Sequence, residues 1–146
     1  MKKIIIVFLL ITTSIFAQSF YTLDKVKDLR MYMSLNADFL SVQQRKSIED
    51  AAVSKLKKAG FVFGKTDAAI FMVNVETVEV EESHAIYIQV GLGEEVLTPR
   101  PPKVYTFAFT YLANDFVDSD EPYTDTLESV NFLVSQFIES HKEDNE

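Results

Sequence analysis

The chain has no cysteine, only two histidines, four glycines and four prolines, and a single uninterrupted apolar run longer than six residues. Each shortage removes a class of chemistry. Without cysteine there is no disulfide to brace the fold, no thiol nucleophile, and no cysteine to carry a lipid anchor, so packing alone must supply stability. A hydrolytic triad needs a nucleophile, a base and an orienting group, and the base is usually histidine. Neither His84 nor His141 has a serine in a Gly-x-Ser-x-Gly turn near it. The four glycines, Gly60, Gly64, Gly91 and Gly93, do not build a phosphate loop, because Gly91-Leu92-Gly93 is not followed by the start of a helix. No cofactor is implied. Basic residues are also scarce, 14 against 22 acidic ones, for a formal charge of −8. That balance disfavours nucleic acid and anionic lipid as partners and suits a soluble chain, with a basic partner as the sharper alternative.

What is present begins at the amino terminus. Lys2 and Lys3 precede the apolar run of residues 4–11, and a more polar stretch follows to Ala17. This is the tripartite pattern of a secretory signal peptide. The apolar run is well short of the roughly 20 residues that a membrane span needs. Cleavage after Ala17 is expected, giving a periplasmic or secreted product with no membrane span. Residues 18–141 then read as one domain, with 142–146 as a frayed tail. Losing Lys2 and Lys3 would bring the formal charge of the product to −10.

Along the domain, residues 26–36 alternate, with Leu29, Met31, Met33 and Leu35 on one side and Arg30, Tyr32 and Ser34 on the other, as in a half-buried strand. Ser41 and Gln44 form a capping-box pattern ahead of a helix whose apolar positions are Val42, Ile48, Ala52, Leu56 and Ala59. Gly60 closes that helix, and Phe61 falls where a Schellman ending places an apolar clasp on Leu56. Lys55, Lys57 and Lys58 suit the carbonyl end of the helix dipole. Residues 68–80 form a second strand in which the apolar parity shifts beyond Glu76 to Val78 and Val80. That shift implies a bulge near Glu76 and Thr77, or a strand end that enters another environment.

The third strand carries Ile86, Ile88, Val90 and Leu92 on one face and Tyr87, Gln89 and Gly91 on the other, in an antiparallel hairpin with the second. Gly91 and Gly93 are read as permitting a bend or bulge in that strand. After Pro99, Pro101 and Pro102, a fourth strand at 104–112 places Tyr105, Phe107, Phe109 and Tyr111 on one face, expected to be core on a central strand, with the floor of a ligand cleft as the alternative. A last helix follows Pro122, with cap candidates Asp120 and Thr124, and buries Leu127, Val130, Val134, Phe137, Ile138 and His141. The order β-α-β-β-β-α predicts an α+β fold: a four-stranded, mainly antiparallel sheet with two helices on one face. A right-handed crossover makes the first two strands parallel neighbours.

Two acidic clusters are candidate metal sites. Glu82 and His84, with a neighbour such as Glu79 or Glu81, lie at the turn between the second and third strands, but two ligands fall short of the three or four that zinc requires. Asp115, Asp118, Asp120 and Glu121 lack the glycine and terminal glutamate of an EF-hand loop. On the sheet face away from the helices, Tyr32 beside Arg30 and Tyr87 beside Gln89 form a candidate contact platform, since exposed tyrosines often mark contact surfaces.

The segments 55–61 (KLKKAGF), 67–76 (DAAIFMVNVE), 105–111 (YTFAFTY) and 134–141 (VSQFIESH) resemble the small exported α+β domains of bacterial envelopes, a group of unassigned function. The resemblance rests on apolar pattern and carries over no site residue. Some such domains are lipoproteins, whose anchoring cysteine this chain lacks. The expectation is a non-enzymatic binding or accessory module that meets a protein or small ligand through a sheet face or strand edge. The alternatives are a metal-assisted or carboxylate-based enzyme at residues 79–84, or a structural subunit of an envelope assembly.

Overall fold

The computed structural model describes residues 22–80 and 83–146. The expected leader, residues 1–17, lies outside the described residues, as does Glu82. The chain runs β1 (Asp28–Asn36), α1 (Val42–Lys58), β2 (Val62–Phe63), β3 (Ala69–Val80), β4 (Ser83–Leu97), β5 (Tyr105–Ser119) and α2 (Pro122–Asn145). The class is α+β, as expected, but the sheet has five strands in the order β2-β1-β3-β4-β5 and is mixed. Strand β1 is parallel to both β2 and β3, whereas β3, β4 and β5 pair antiparallel. The expected four-stranded, mainly antiparallel sheet missed β2, which is two residues long and too short to show a period. The expected parallel pairing of the strands flanking the first helix is present.

Both helices lie on one face of the sheet. Leu29 and Leu35 of β1, Phe71, Val73 and Val75 of β3, and Ile86, Ile88, Val90 and Leu92 of β4 meet Ile48, Ala52 and Leu56 of α1 and Val130, Leu133, Val134 and Phe137 of α2. All are buried. Phe137 is the hub, its ring centroid 4.8 Å from Phe71, 5.2 Å from Tyr111 and 5.4 Å from Phe61.

Helix α1 starts and stops as its sequence directs. Ser41 accepts from the Gln44 amide at 3.2 Å while the Gln44 side chain accepts from the Ser41 amide at 2.9 Å. At the other end Gly60 has φ of +99°, its amide donates to Lys57 O at 3.0 Å, and the Phe61 amide donates to Leu56 O at 3.1 Å. These are the two bonds of a Schellman motif. A methyl group on Gly60 would meet nothing within 4 Å, so Gly60→Ala isolates the left-handed backbone. It should lower stability by about 1–2 kcal/mol, read as a fall in melting temperature by circular dichroism.

Helix α2 starts differently from its expected caps. Glu121 holds the N-cap position without a side-chain bond, Pro122 begins the helix, and Ser119 bridges the junction by accepting from the Glu121 amide at 3.0 Å and donating to the Asp125 carboxylate. Residues 142–146, expected to fray, are helical through Asn145. Asp144 accepts from the Leu23 amide at 2.6 Å, and Asn145 accepts from the Lys25 amide at 2.8 Å, so the end of α2 holds the segment leading into β1.

Two expectations about the strands change. Strands β3 and β4 pair in continuous register through Glu76 and Thr77, so there is no bulge there; Val78 simply stands 66% exposed on the face without helices. The irregularity lies on β5. Leu92 pairs with Tyr111 but Gly93 pairs with Phe109, leaving Thr110 as an extra residue whose hydroxyl donates to the Glu94 carboxylate. One inserted residue reverses side-chain parity. Tyr111 therefore enters the core at 6% exposure, while Tyr105, Phe107 and Phe109 turn to the opposite face at 68%, 54% and 43%. The aromatic stripe expected to be core on a central strand belongs to an edge strand, and three of its four rings face outward.

Candidate functional site

The face without helices is built row by row from strand register. Arg30, Ile70, Gly93 and Phe109 lie side by side on β1, β3, β4 and β5; the next row is Tyr32, Met72, Gly91 and Leu112. Beyond these come Ser34, Asn74, Gln89 and Asn114, then Asn36, Glu76, Tyr87 and Phe116. The face is thus divided. Apart from Arg30 its first two rows are apolar, its last two are largely polar, and no helix of the described residues covers either half.

The glycines shape the apolar half. A methyl group on Gly93 would stand 2.1 Å from Phe107 Cζ, and one on Gly91 would stand 3.1 Å from Phe109 Cδ1 and 3.0 Å from Leu112 Cδ1. Both phenylalanines therefore lean from β5 across bare backbone of β4, with ring centroids 5.8 Å apart and planes at 78°. Side chains on Gly91 and Gly93 would lift the rings from the sheet.

Beside this surface is a cleft of about 440 Å³, where β4 and β5 continue past the start of β3. It is lined by Arg30, Asp67, Ile70, Gly93, Glu95 and Phe107, among others. Arg30 is held in place there by donating from Nε to Ala68 O at 3.0 Å. Close to it, the Lys65 ammonium donates to Asp28 at 2.6 Å; that hydrogen bond, reinforced by the carboxylate's charge, raises its pKa above the ordinary lysine value.

All four residues of the expected platform point away from the helices, but they do not form one cluster. Tyr32, 55% exposed, and Arg30 stand in the apolar half. Tyr87 and Gln89 stand in the polar half, bonded to each other from Gln89 Nε2 to the Tyr87 hydroxyl at 2.7 Å. Of the rings that dominate the surface, Phe107 and Phe109 were expected to be core, with a ligand-cleft floor as the alternative, and Phe116 was not singled out by the sequence. The available signal was the pair of glycines on β4, whose missing side chains leave room for large ones on the neighbouring strand.

Of the candidate metal ligands, His84 is the register partner of Glu79 and packs edge-on against Phe39 at a centroid distance of 5.2 Å. Asp115 accepts from the Ser129 hydroxyl at 2.7 Å and from the Phe116 amide at 2.9 Å. Among the described residues, no three or more histidine and acidic side chains gather as a metal-binding group. No described helix is long and apolar enough to cross a membrane.

No protein-family profile matches the chain, and no curated protein matches it. Among solved structures, the chain is similar to the crystal structure of a minor lipoprotein from Acinetobacter baumannii, with 11% sequence identity, a TM-score of 0.34, and coverage of 81% of this chain and 95% of that one.

Proposed function

We propose that this chain is an exported, non-enzymatic binding or accessory module that receives a protein ligand on the apolar half of its helix-free sheet face. The observation that carries this reading is the group Tyr32, Ile70, Met72, Phe107, Phe109 and Leu112, adjoining on one face and not covered by a helix. Contiguous apolar surface rimmed by polar groups marks contact sites on soluble proteins, and buried aromatic anchors supply most of the energy at such interfaces. The rim is acidic at Asp67 and Glu95, and the whole chain is negative. A ligand with an apolar centre and basic flanks fits both. Export rests on the leader pattern of residues 1–17.

The test compares wild type with Tyr32→Ala/Phe107→Ala/Phe109→Ala as baits in envelope extract, followed by titration of whichever partner is captured. All three side chains are solvent-exposed, so the variant should keep its fold and melting temperature. Loss of three anchors should weaken binding by about a hundredfold or more. Equal affinity of the two baits would remove this face from the proposal. Tyr87→Ala, in the polar half, should leave binding near wild type.

A further inference from the structure

Among the described residues, β5 is the last strand of the sheet, with no strand on its outer side. It is fifteen residues long. Natural edge strands of that length are usually guarded by lysine, proline, inward-pointing charge or a β-bulge, because their backbone can template another strand; of these devices the middle of β5 has only the bulge at Thr110. Residues 105–114 of β5 carry no charge and no proline. Charge is placed instead at the two ends. Arg100 and Lys103 lie exposed in the loop before the strand, and Asp118 and Asp120 lie exposed at its close.

We infer that β5 is the seam of a two-fold homodimer, pairing antiparallel with β5 of a second copy. A two-fold interface must be self-complementary, each patch facing its own copy. Antiparallel pairing centred on the uncharged segment, between Phe109 and Thr110, meets that requirement: Arg100 and Lys103 of each copy lie beside Asp118 and Asp120 of the other. Parallel pairing would set like charges together. Elsewhere two copies of so acidic a chain repel, and this edge offers a neutral centre flanked by opposite charges. Glu94 and Glu95 on β4 do not oppose the approach strongly. They are separated from their counterparts by three strand spacings, about 14 Å, more than a Debye length of about 8 Å at physiological salt.

The symmetry axis stands perpendicular to the sheet, so the two helix-free faces lie on the same side. Tyr105, Phe107 and Phe109 of both copies then flank the seam and form one continuous aromatic surface on a ten-stranded sheet. The dimer does not depend on what that face binds.

Sedimentation velocity of the purified protein tests it, using two exposed charge reversals that leave the core untouched. Wild type at about 100 μM should sediment at twice the chain mass. Arg100→Glu/Lys103→Glu alone, and Asp118→Lys/Asp120→Lys alone, should each weaken dimerisation by about tenfold or more. An equimolar mixture of the two variants should recover the dimer, because each loop again meets opposite charge on the other chain. A monomeric wild type, an open-ended aggregate, dimerisation unaffected by either reversal, or a mixture that stays monomeric would each overturn the inference.

Discussion

Phe137→Ala should lower the stability of the domain by roughly 3–5 kcal/mol, the range for truncating a fully buried phenylalanine. For a domain of this size that corresponds to a fall of about 10–20 °C in melting temperature. The reason is position as much as size. Phe137 is completely buried and touches aromatic rings from three separate segments: Phe61 after α1, Phe71 on β3 and Tyr111 on β5. Removing it leaves those rings facing a cavity that none can fill alone, since each is fixed to a different element. Phe137→Leu keeps much of the volume and should lose clearly less. Phe132, on the same helix but 54% exposed, serves as the comparison: Phe132→Ala should change the melting temperature little. If Phe137→Ala melted within about 3 °C of wild type, less than 1 kcal/mol for this domain, α2 would not be integral to the core.

The same ring shows which parts of the fold are local in origin. Phe137 and its neighbours on α2 repeat at helical spacing, the alternation of β1 and β4 is unbroken, and the Ser41–Gln44 box and the Gly60–Phe61 ending are complete within a few residues. Such features are written where they act, and they were legible. Strand β2 was not, because two residues have no period; its identity comes from pairing with β1 alone.

The parity of β5 was hidden for a related reason. Nothing in residues 105–111 marks Thr110 as inserted, and the insertion is defined by residues on another strand: Gly93, which takes Phe109 as its partner, and Glu94, which accepts from Thr110. Whether a strand is central or at an edge is likewise a property of the assembled sheet. The candidate site inherited this division. Arg30, Tyr32, Tyr87 and Gln89 were placed on the correct face by alternation within their own strands, whereas the phenylalanines that make most of the surface depended on register.

Arg45→Ala should produce the second large loss, about 2–4 kcal/mol, from a side chain that contributes almost nothing to the apolar core. Its guanidinium brackets the turn between β1 and α1, donating from Nε to Leu40 O at 3.0 Å, from Nη1 to Leu35 O at 2.5 Å and from Nη2 to Ala37 O at 2.9 Å. Leu35, Ala37 and Leu40 are all buried, so their carbonyls have poor access to water once the cation is gone. Hydrogen bonds to a charged donor are worth more than neutral ones, and a buried acceptor left without its partner carries a desolvation penalty as well. Lysine should rescue only part of the loss, because an ammonium on a flexible stem cannot reproduce a planar fork directed at three acceptors. The adjacent cation gives the contrast. Lys46 pairs with Asp50 at 3.0 Å on the exposed side of α1, and that hydrogen bond raises its pKa, yet solvent screens such a pair, so Lys46→Ala should leave the melting temperature unchanged. Thermal unfolding of the three variants side by side would decide the matter. If Arg45→Ala behaved like Lys46→Ala, the turn would be held by its packing and the three-carbonyl bracket would be incidental.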